Sequence, residues 1–331
     1  MLKNSLKRFL IGSRATRLAS KLAGKGVAII MYHSVQDDPS AQSDTLGGII
    51  HSTEVFRGQM EVIARHFNPV NLEDVSLFVK GAKELRPRSV VVTFDDGYAD
   101  NYLVARPILD RAGIPGVFYV VVDCLDRQTL PWPSQLRYLF LTANAVSWKD
   151  PSGKNWPLDR PEQRLLAFEE ASNHCCGLSG HAQRVFVGSV CCDLEAELPN
   201  PGERSMMSWD ELRFLVHGGH TVGSHTMTHP NMARISEADA QVEFSESKRR
   251  LEQELRRPVV HFSYPCPAFE PHWADGTVTL SRQLGYETGV TTNGGKVSKG
   301  DNPLRLRRIR PTKTVPGLRW NLEYTFAGGI V

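Results

Sequence analysis

The stretch VVVTFDDGY, residues 90–98, decides how this chain is read. Three valines, a threonine and a phenylalanine make a short β-branched and aromatic run, the mark of a buried strand, and they lead directly into two carboxylates and a glycine. Parallel α/β sheets build their sites at the carboxyl ends of strands, so Asp95 and Asp96 are delivered to a working edge. Asp-Gly is also ordinary turn chemistry, and a plain turn is the competing reading of this fragment alone. The pair is costly, however, because two like charges raise each other's pKa unless a cation or metal separates their duties.

Outward from this strand, short apolar runs at 27–31, 116–122, 221–223, 259–264 and 287–291 predict further strands. Amphipathic stretches at 52–67, 102–112, 208–217, 236–256 and 277–284 predict the helices between them, which is the α/β pattern. Two helix starts are signed by capping boxes, Ser208 with Glu211 and Ser236 with Asp239, and their ends by Gly218-Gly219 and Pro258. From about 124 to 205 the rhythm breaks. Seven prolines and a helical pattern with no clear strand predict a mostly helical insertion, expected to lie over the working end of the sheet.

A second chemical signal is GHTVGSHTMTHP, residues 219–230. His225 and His229 are four apart, a spacing that brings both imidazoles to one side in a helix or turn. Either histidine alone reads most simply as a solvated or hydrogen-bonded residue. Two histidines and one carboxylate together form a metal triad with positions left open for water and substrate. A metal there would polarise a carbonyl and acidify a bound water, so one carboxylate can be a ligand while its neighbour serves as general base. Hydrolysis also requires a general acid and a donor for the oxyanion.

TFDDG at 93–97, His-Thr-x-x-His at 225–229 and the strand end Phe262-Ser263-Tyr264-Pro265 resemble the motifs of the NodB-homology polysaccharide deacetylases, carbohydrate esterase family 4. The resemblance covers roughly residues 27–123 and 206–312. It implies a distorted parallel (β/α) barrel of about seven strands spanning 27–312, interrupted by the 124–205 insertion and followed by a C-terminal tail, 313–331. By the same resemblance Asp95 is the general base, Asp96, His225 and His229 hold a divalent metal, and the Tyr264 amide helps bind the oxyanion. Zinc is the expected ion; cobalt, nickel, manganese and iron suit the same donors.

Two departures qualify this. The third motif reads Ser263-Tyr264-Pro265-Cys266-Pro267-Ala268, with neither a preceding arginine nor a Tyr-Pro-x-Gly turn. The family's usual acid lies in a Leu-x-His motif near the C-terminus, and no histidine follows His272 here. Met31-Tyr32-His33 has the form apolar-x-His at the end of the first strand, which is the last strand's neighbour in a closed barrel. Some family members resemble circular permutants in which the acid-bearing strand comes first, so His33 is the candidate acid; a histidine satisfied by backbone is the alternative.

Smaller expectations attach to other residues. His220 reads as structural. The run Leu304 to Arg310 alternates like a strand with a solvated basic face, from which one arginine could orient Asp95. Trp132 and Trp156 could stack on sugar rings or simply pack the insertion. The six cysteines, four of them in the vicinal pairs Cys175-Cys176 and Cys191-Cys192, lack zinc-site spacing and read as free, mostly buried thiols.

The net charge of +3 over 331 residues gives no global field for nucleic acid. Residues 1–26 carry seven lysines and arginines and no acid, with leucines at roughly helical spacing. They read as a basic amphipathic segment, either solvated or docked on an anionic membrane surface, and as a poor secretory signal. The expected protein therefore works in the cytoplasm, peripheral at the inner face of the membrane if that segment docks. Its expected partner is an acetylated glycan or lipid-linked sugar, and its oligomeric state is open. The expected activity is removal of acetyl groups from N-acetylated sugars of a polysaccharide, oligosaccharide or glycolipid. A hydrolase of another non-peptide amide and an inactive carbohydrate-binding homologue are the alternatives.

Overall fold

A computed structural model of the chain describes residues 25–37, 47–198, 205–265 and 270–330. All but the last two residues of the basic segment 1–26 lie outside the described residues, and so does Cys266.

The chain opens with β1 (Val27–Tyr32), β2 (Ser34–Gln36), β3 (Ile50–Ser52), α1 (Thr53–His66), β4 (Asn68–Pro69), α2 (Leu72–Val79) and β5 (Ser89–Phe94). A π-helical turn, Asn101–Ala105, leads into α3 (Arg106–Ala112), β6 (Gly116–Val120) and α4 (Val122–Arg127). The insertion contains α5 (Trp132–Thr142), β7 (Ser147–Lys149), β8 (Asn155–Pro157), α6 (Pro161–Cys175) and α7 (Gly180–Asp193). The second half comprises α8 (Trp209–His217), β9 (Thr221–Ser224), α9 (Glu237–Leu255), β10 (His261–Ser263), α10 (Asp275–Gln283), β11 (Thr288–Val290) and α11 (Val315–Phe326).

The main sheet is parallel, in the order β1-β5-β6-β9-β10-β11, with β4 also on β5. Every residue of β1 and β5 is buried, as helices over one face and a filled interior on the other require. The sheet curls toward closure through residues 306–309, where Leu306 bridges Val290 and Ile309 bridges Ile30. The expected distorted (β/α) barrel is this curled parallel sheet with its helices and helical insertion.

Register places the chemistry. Tyr32 pairs with Phe94, so His33 and Asp95 follow at one edge, and the Asp95 amide donates to the Tyr32 carbonyl at 3.0 Å. Val120 pairs with Ser224, and the His225 amide donates to the Val120 carbonyl at 2.9 Å, which brings the second motif to the same edge.

Two expectations are corrected. The insertion is not strand-free: β7 and β8 form an antiparallel hairpin in which Trp148 faces Trp156. Nor is 313–331 a tail appended to the barrel, because α11 buries Leu318, Leu322 and Phe326 in the same core cluster as β1 and α1.

Candidate active site

Asp95 and Asp96 leave β5 on a tight turn. Asp96 has φ of 74° and Gly97 of 90°, and a Cβ on Gly97 would lie 3.0 Å from Val120 Cγ1, so glycine is required by both backbone and neighbour. The turn separates the carboxylates. Asp95 meets Arg308, a side chain only 1% exposed, in a bidentate pair at 2.8 and 2.7 Å. Arg308 is itself fixed by donating to the Thr291 carbonyl at 2.9 Å and to the hydroxyls of Ser263 (3.1 Å) and Thr93 (3.3 Å). Burial pushes the Asp95 carboxyl up, but Arg308, aided by His225, outweighs it and holds the group below its usual range. The basic run is therefore not wholly solvated: Leu304, Leu306 and Arg308 are buried while Arg305, Arg307 and Arg310 face out.

His225 and His229 sit on a turn rather than a helix. Thr226 (φ 70°) and His229 (φ 61°) are both left-handed, a costly conformation for a β-branched threonine, of the kind retained at functional sites. Glu243 of α9, 2% exposed, holds this turn by accepting from the Met227 and Thr228 amides at 2.8 and 2.9 Å and from the Thr228 hydroxyl. The His229 carbonyl accepts from Trp132 Nε1 at 2.9 Å.

Asp96, His225 and His229 converge. Their ligand atoms all lie within 4.8 Å of one another, with Asp96 Oδ1 at 3.3 Å from His229 Nε2 and 3.5 Å from His225 Nε2. Donors bound at about 2.1 Å to one divalent ion are spaced by roughly 3–3.5 Å, so the separations fit a shared ion. Asp96 Oδ1 is buried with no hydrogen-bond partner, an arrangement that a cation would satisfy. Burial depresses His225 to a pKa of about 4, so its imidazole is neutral at pH 7 and available as a ligand. Its other nitrogen, Nδ1, faces the Ser263 carbonyl at 2.8 Å, which fixes the ring and leaves Nε2 for the metal. Burial acts to raise the Asp96 carboxyl, yet the imidazoles that face it, His229 foremost, hold it well below the ordinary range.

A cavity of about 460 Å³ opens over these residues, lined by His33, Asp95, Asp96, His225 and His229 together. The strand-end loop bearing His33 is clamped from behind: Asn101 Nδ2 donates to the His33 carbonyl at 2.6 Å. Asp100 accepts from the Ser34 hydroxyl at 2.5 Å, the Val35 amide at 3.2 Å and Gln36 Nε2 at 3.4 Å. The insertion supplies Pro131, Pro133, Ser134, Arg137 and Phe168 to the cavity wall, so it does lie over the working end.

The oxyanion assignment needs correcting. The Tyr264 amide donates to the Val290 carbonyl at 3.1 Å as part of the sheet ladder, and its donor is already spent. His220 is structural, accepting from the Gly116 amide at 2.9 Å and meeting Asp110 at 2.9 Å. Trp156 donates to Asp150 within the insertion, and Trp132 is buried against the metal turn, so both pack rather than offer open faces. Among the described cysteines none forms a disulfide; Cys124, Cys175 and Cys176 are buried, while Cys192 is exposed.

A curled parallel sheet carrying a carboxylate and two histidines on a common edge, with a second carboxylate locked on arginine, defines a hydrolase of the metal-triad type. The family model described as polysaccharide deacetylase matches residues 170–289. Over those residues the chain is similar to the polysaccharide deacetylases. "Putative polysaccharide deacetylase YxkH" of Bacillus subtilis (strain 168) is 18% identical over 290 residues, 87% of this chain and 72% of that one. The poly-beta-1,6-N-acetyl-D-glucosamine N-deacetylase of Escherichia coli (strain K12) is 29% identical over 102 residues, 30% of this chain but 15% of that protein. In fold, the chain is similar to the Streptococcus pyogenes deacetylase PplD, solved in complex with acetate, with a TM-score of 0.61 and 18% identity over 90% of this chain and 98% of that one. IcaB from Ammonifex degensii gives a TM-score of 0.58 at the same identity and coverage. Among the described residues no helix is long and apolar enough to cross a membrane.

Proposed function

We propose that the protein is a metal-dependent hydrolase that removes acetyl groups from N-acetylated sugars of a polysaccharide, oligosaccharide or glycolipid. The observation that carries this reading is the division of labour at residues 95 and 96. One carboxylate is locked on Arg308, and its neighbour converges with two histidines in a cavity that His33 also lines.

Asp96, His225 and His229 would hold the divalent ion, which when bound supplies a Lewis acid for the acyl oxygen and lowers the pKa of a water. Zinc is our preferred ion, because a carboxylate and two imidazoles in a tight set with open positions match its catalytic sites. Asp95, kept ionised by Arg308, takes the proton of the attacking water as the carbon–oxygen bond forms. His33 gives a proton to the amine as the carbon–nitrogen bond breaks. Glu243 and Thr226 hold the ligand turn, and the Asp100–Asn101 clamp fixes the loop that carries His33. We place the substrate as a glycan chain or lipid-linked sugar met in the cytoplasm or at the membrane's inner face, with the 124–205 insertion as one wall of its groove.

The test is acetate release from a panel of N-acetylated glycans by the full chain, alongside Asp95→Asn. Release that disappears in the variant while metal content is kept supports the assignment. Equal release by both forms rejects Asp95 as base.

A further inference from the structure

The catalytic cavity presents two arginines that removal of an acetyl group from a neutral sugar does not require. Among the described residues, the acidic side chains lining it are Asp95 and Asp96. Arg308 neutralises the first, and a divalent ion on the triad would more than neutralise the second. Beyond them the wall presents Arg137 from α5 of the insertion and Arg310 from the barrel rim. Arg310 is exposed. Arg137 lies with its guanidinium 5.7 Å from the ring of Phe168, which lines the same wall.

A third observation adds a buried polar group without a hydrogen-bond partner. His51 lines the cavity, is 4% exposed and makes no hydrogen bond through either ring nitrogen. Burial depresses its pKa to about 4, and the charge of nearby Lys313 adds to the effect. The wall therefore presents a neutral imidazole, able to donate one N–H, to whatever enters.

We propose that the cavity wall formed by Arg137, Arg310 and His51 is a subsite for an anionic oxygen group, a phosphate or a carboxylate, carried by the substrate next to the acetamido sugar. The inference rests on the deacetylase reading and deepens it. Arginine presents planar paired donors to phosphate and carboxylate oxygens, and a partly enclosed cavity strengthens that attraction over its value in bulk water. The two arginines come from different parts of the chain, one from the insertion and one from the barrel. The insertion thereby acquires a role in substrate choice as well as in covering the site.

Four probes, each with one N-acetylglucosamine, separate the sources of charge: the neutral methyl glycoside, the 1-phosphate, a short-prenyl diphosphate ester, and a disaccharide with a neighbouring uronic acid. At low salt at least one anionic probe is expected to exceed the neutral one at least tenfold in kcat/KM. R137Q and R310Q should each lower that ratio at least fivefold, and 0.5 M salt should lower it in the wild type. Calorimetric binding of the same probes to the metal-loaded wild type, R137Q and R310Q gives a readout independent of turnover. A ratio near one, or binding of the anionic probes that both substitutions leave unaltered, overturns the subsite. Absence of acetate from all four probes, with arginine-dependent binding retained, instead rejects the deacetylase reading and keeps the subsite.

Discussion

Replacing Arg308 by methionine tests the link between the closing strand and the base. The guanidinium makes five hydrogen bonds, two of them to Asp95, at a position 1% exposed. Removing one partner of a buried ion pair typically costs about 3–5 kcal/mol, because the other charge stays buried and unpaired. In the wild type the Asp95 pKa is depressed. Its contribution to stability is therefore present above the unfolded carboxylate pKa and lost as pH falls through the lower folded value. In R308M burial, the largest influence, is opposed only by the imidazoles of His225 and His33, so the folded pKa is expected to rise above the unfolded one and stability to be lost as pH rises through that window. Protonated Asp95 cannot act as base, so activity at neutral pH should fall by up to roughly 10²–10⁴-fold and recover in part at alkaline pH. Urea unfolding at several pH values, with acetate-release profiles over the same range, reads both effects. The double variant D95N/R308M should be less destabilised than the sum of the two single changes. A rate profile parallel to the wild type, or a stability loss under about 1 kcal/mol, would refute the reasoning.

Three further outcomes follow from the same geometry. H33Q should lower turnover of N-acetyl sugars by roughly 10²–10⁴-fold yet spare an aryl acetate whose leaving group needs no proton, and equal losses on both would remove His33 as acid. E243Q should weaken metal binding by about 10–100-fold through the ligand turn, measured by competition with a chromogenic chelator; unchanged affinity would reject that support. Burial raises the Asp100 carboxyl to about 6, so the folded chain keeps a proton that the unfolded chain releases between about pH 4 and 6, and stability declines as pH rises through that window. That decline is worth up to about 3 kcal/mol at full burial and less with the partial exposure here, and D100N should lack it in urea midpoints; a parallel decline in both proteins would contradict the shift.

Much of this was legible from residues alone because local pattern and tertiary context agree. VVVTF is a continuous β-branched and aromatic run that ends in Asp-Asp-Gly, and register then brings Asp95 and His33 to the same edge. Arg308 was visible in principle, since the period-2 pattern of Leu304 and Leu306 puts residue 308 inside. Charge argued the other way, because the partner that makes its burial tolerable lies 213 positions away. Glu243 had a similar signature: it shares a buried stripe with Ala240, Phe244, Ser247 and Leu251. The Tyr264 assignment failed because a motif does not say whether a backbone donor is already used by the neighbouring strand. The β7–β8 hairpin was missed because each strand is three residues long and its pattern is lost among prolines and flanking helices.

The central claim is that Asp96, His225 and His229 hold one ion on which hydrolysis depends. The most direct measurement is metal content and acetate release on the same sample, for protein stripped by chelator and then titrated with zinc, with H225A treated in parallel. The account predicts that stripped wild type is inactive, that activity returns and saturates at one equivalent, and that H225A neither retains the ion nor turns over. Full turnover by the stripped protein, or stoichiometric metal in H225A, would contradict it.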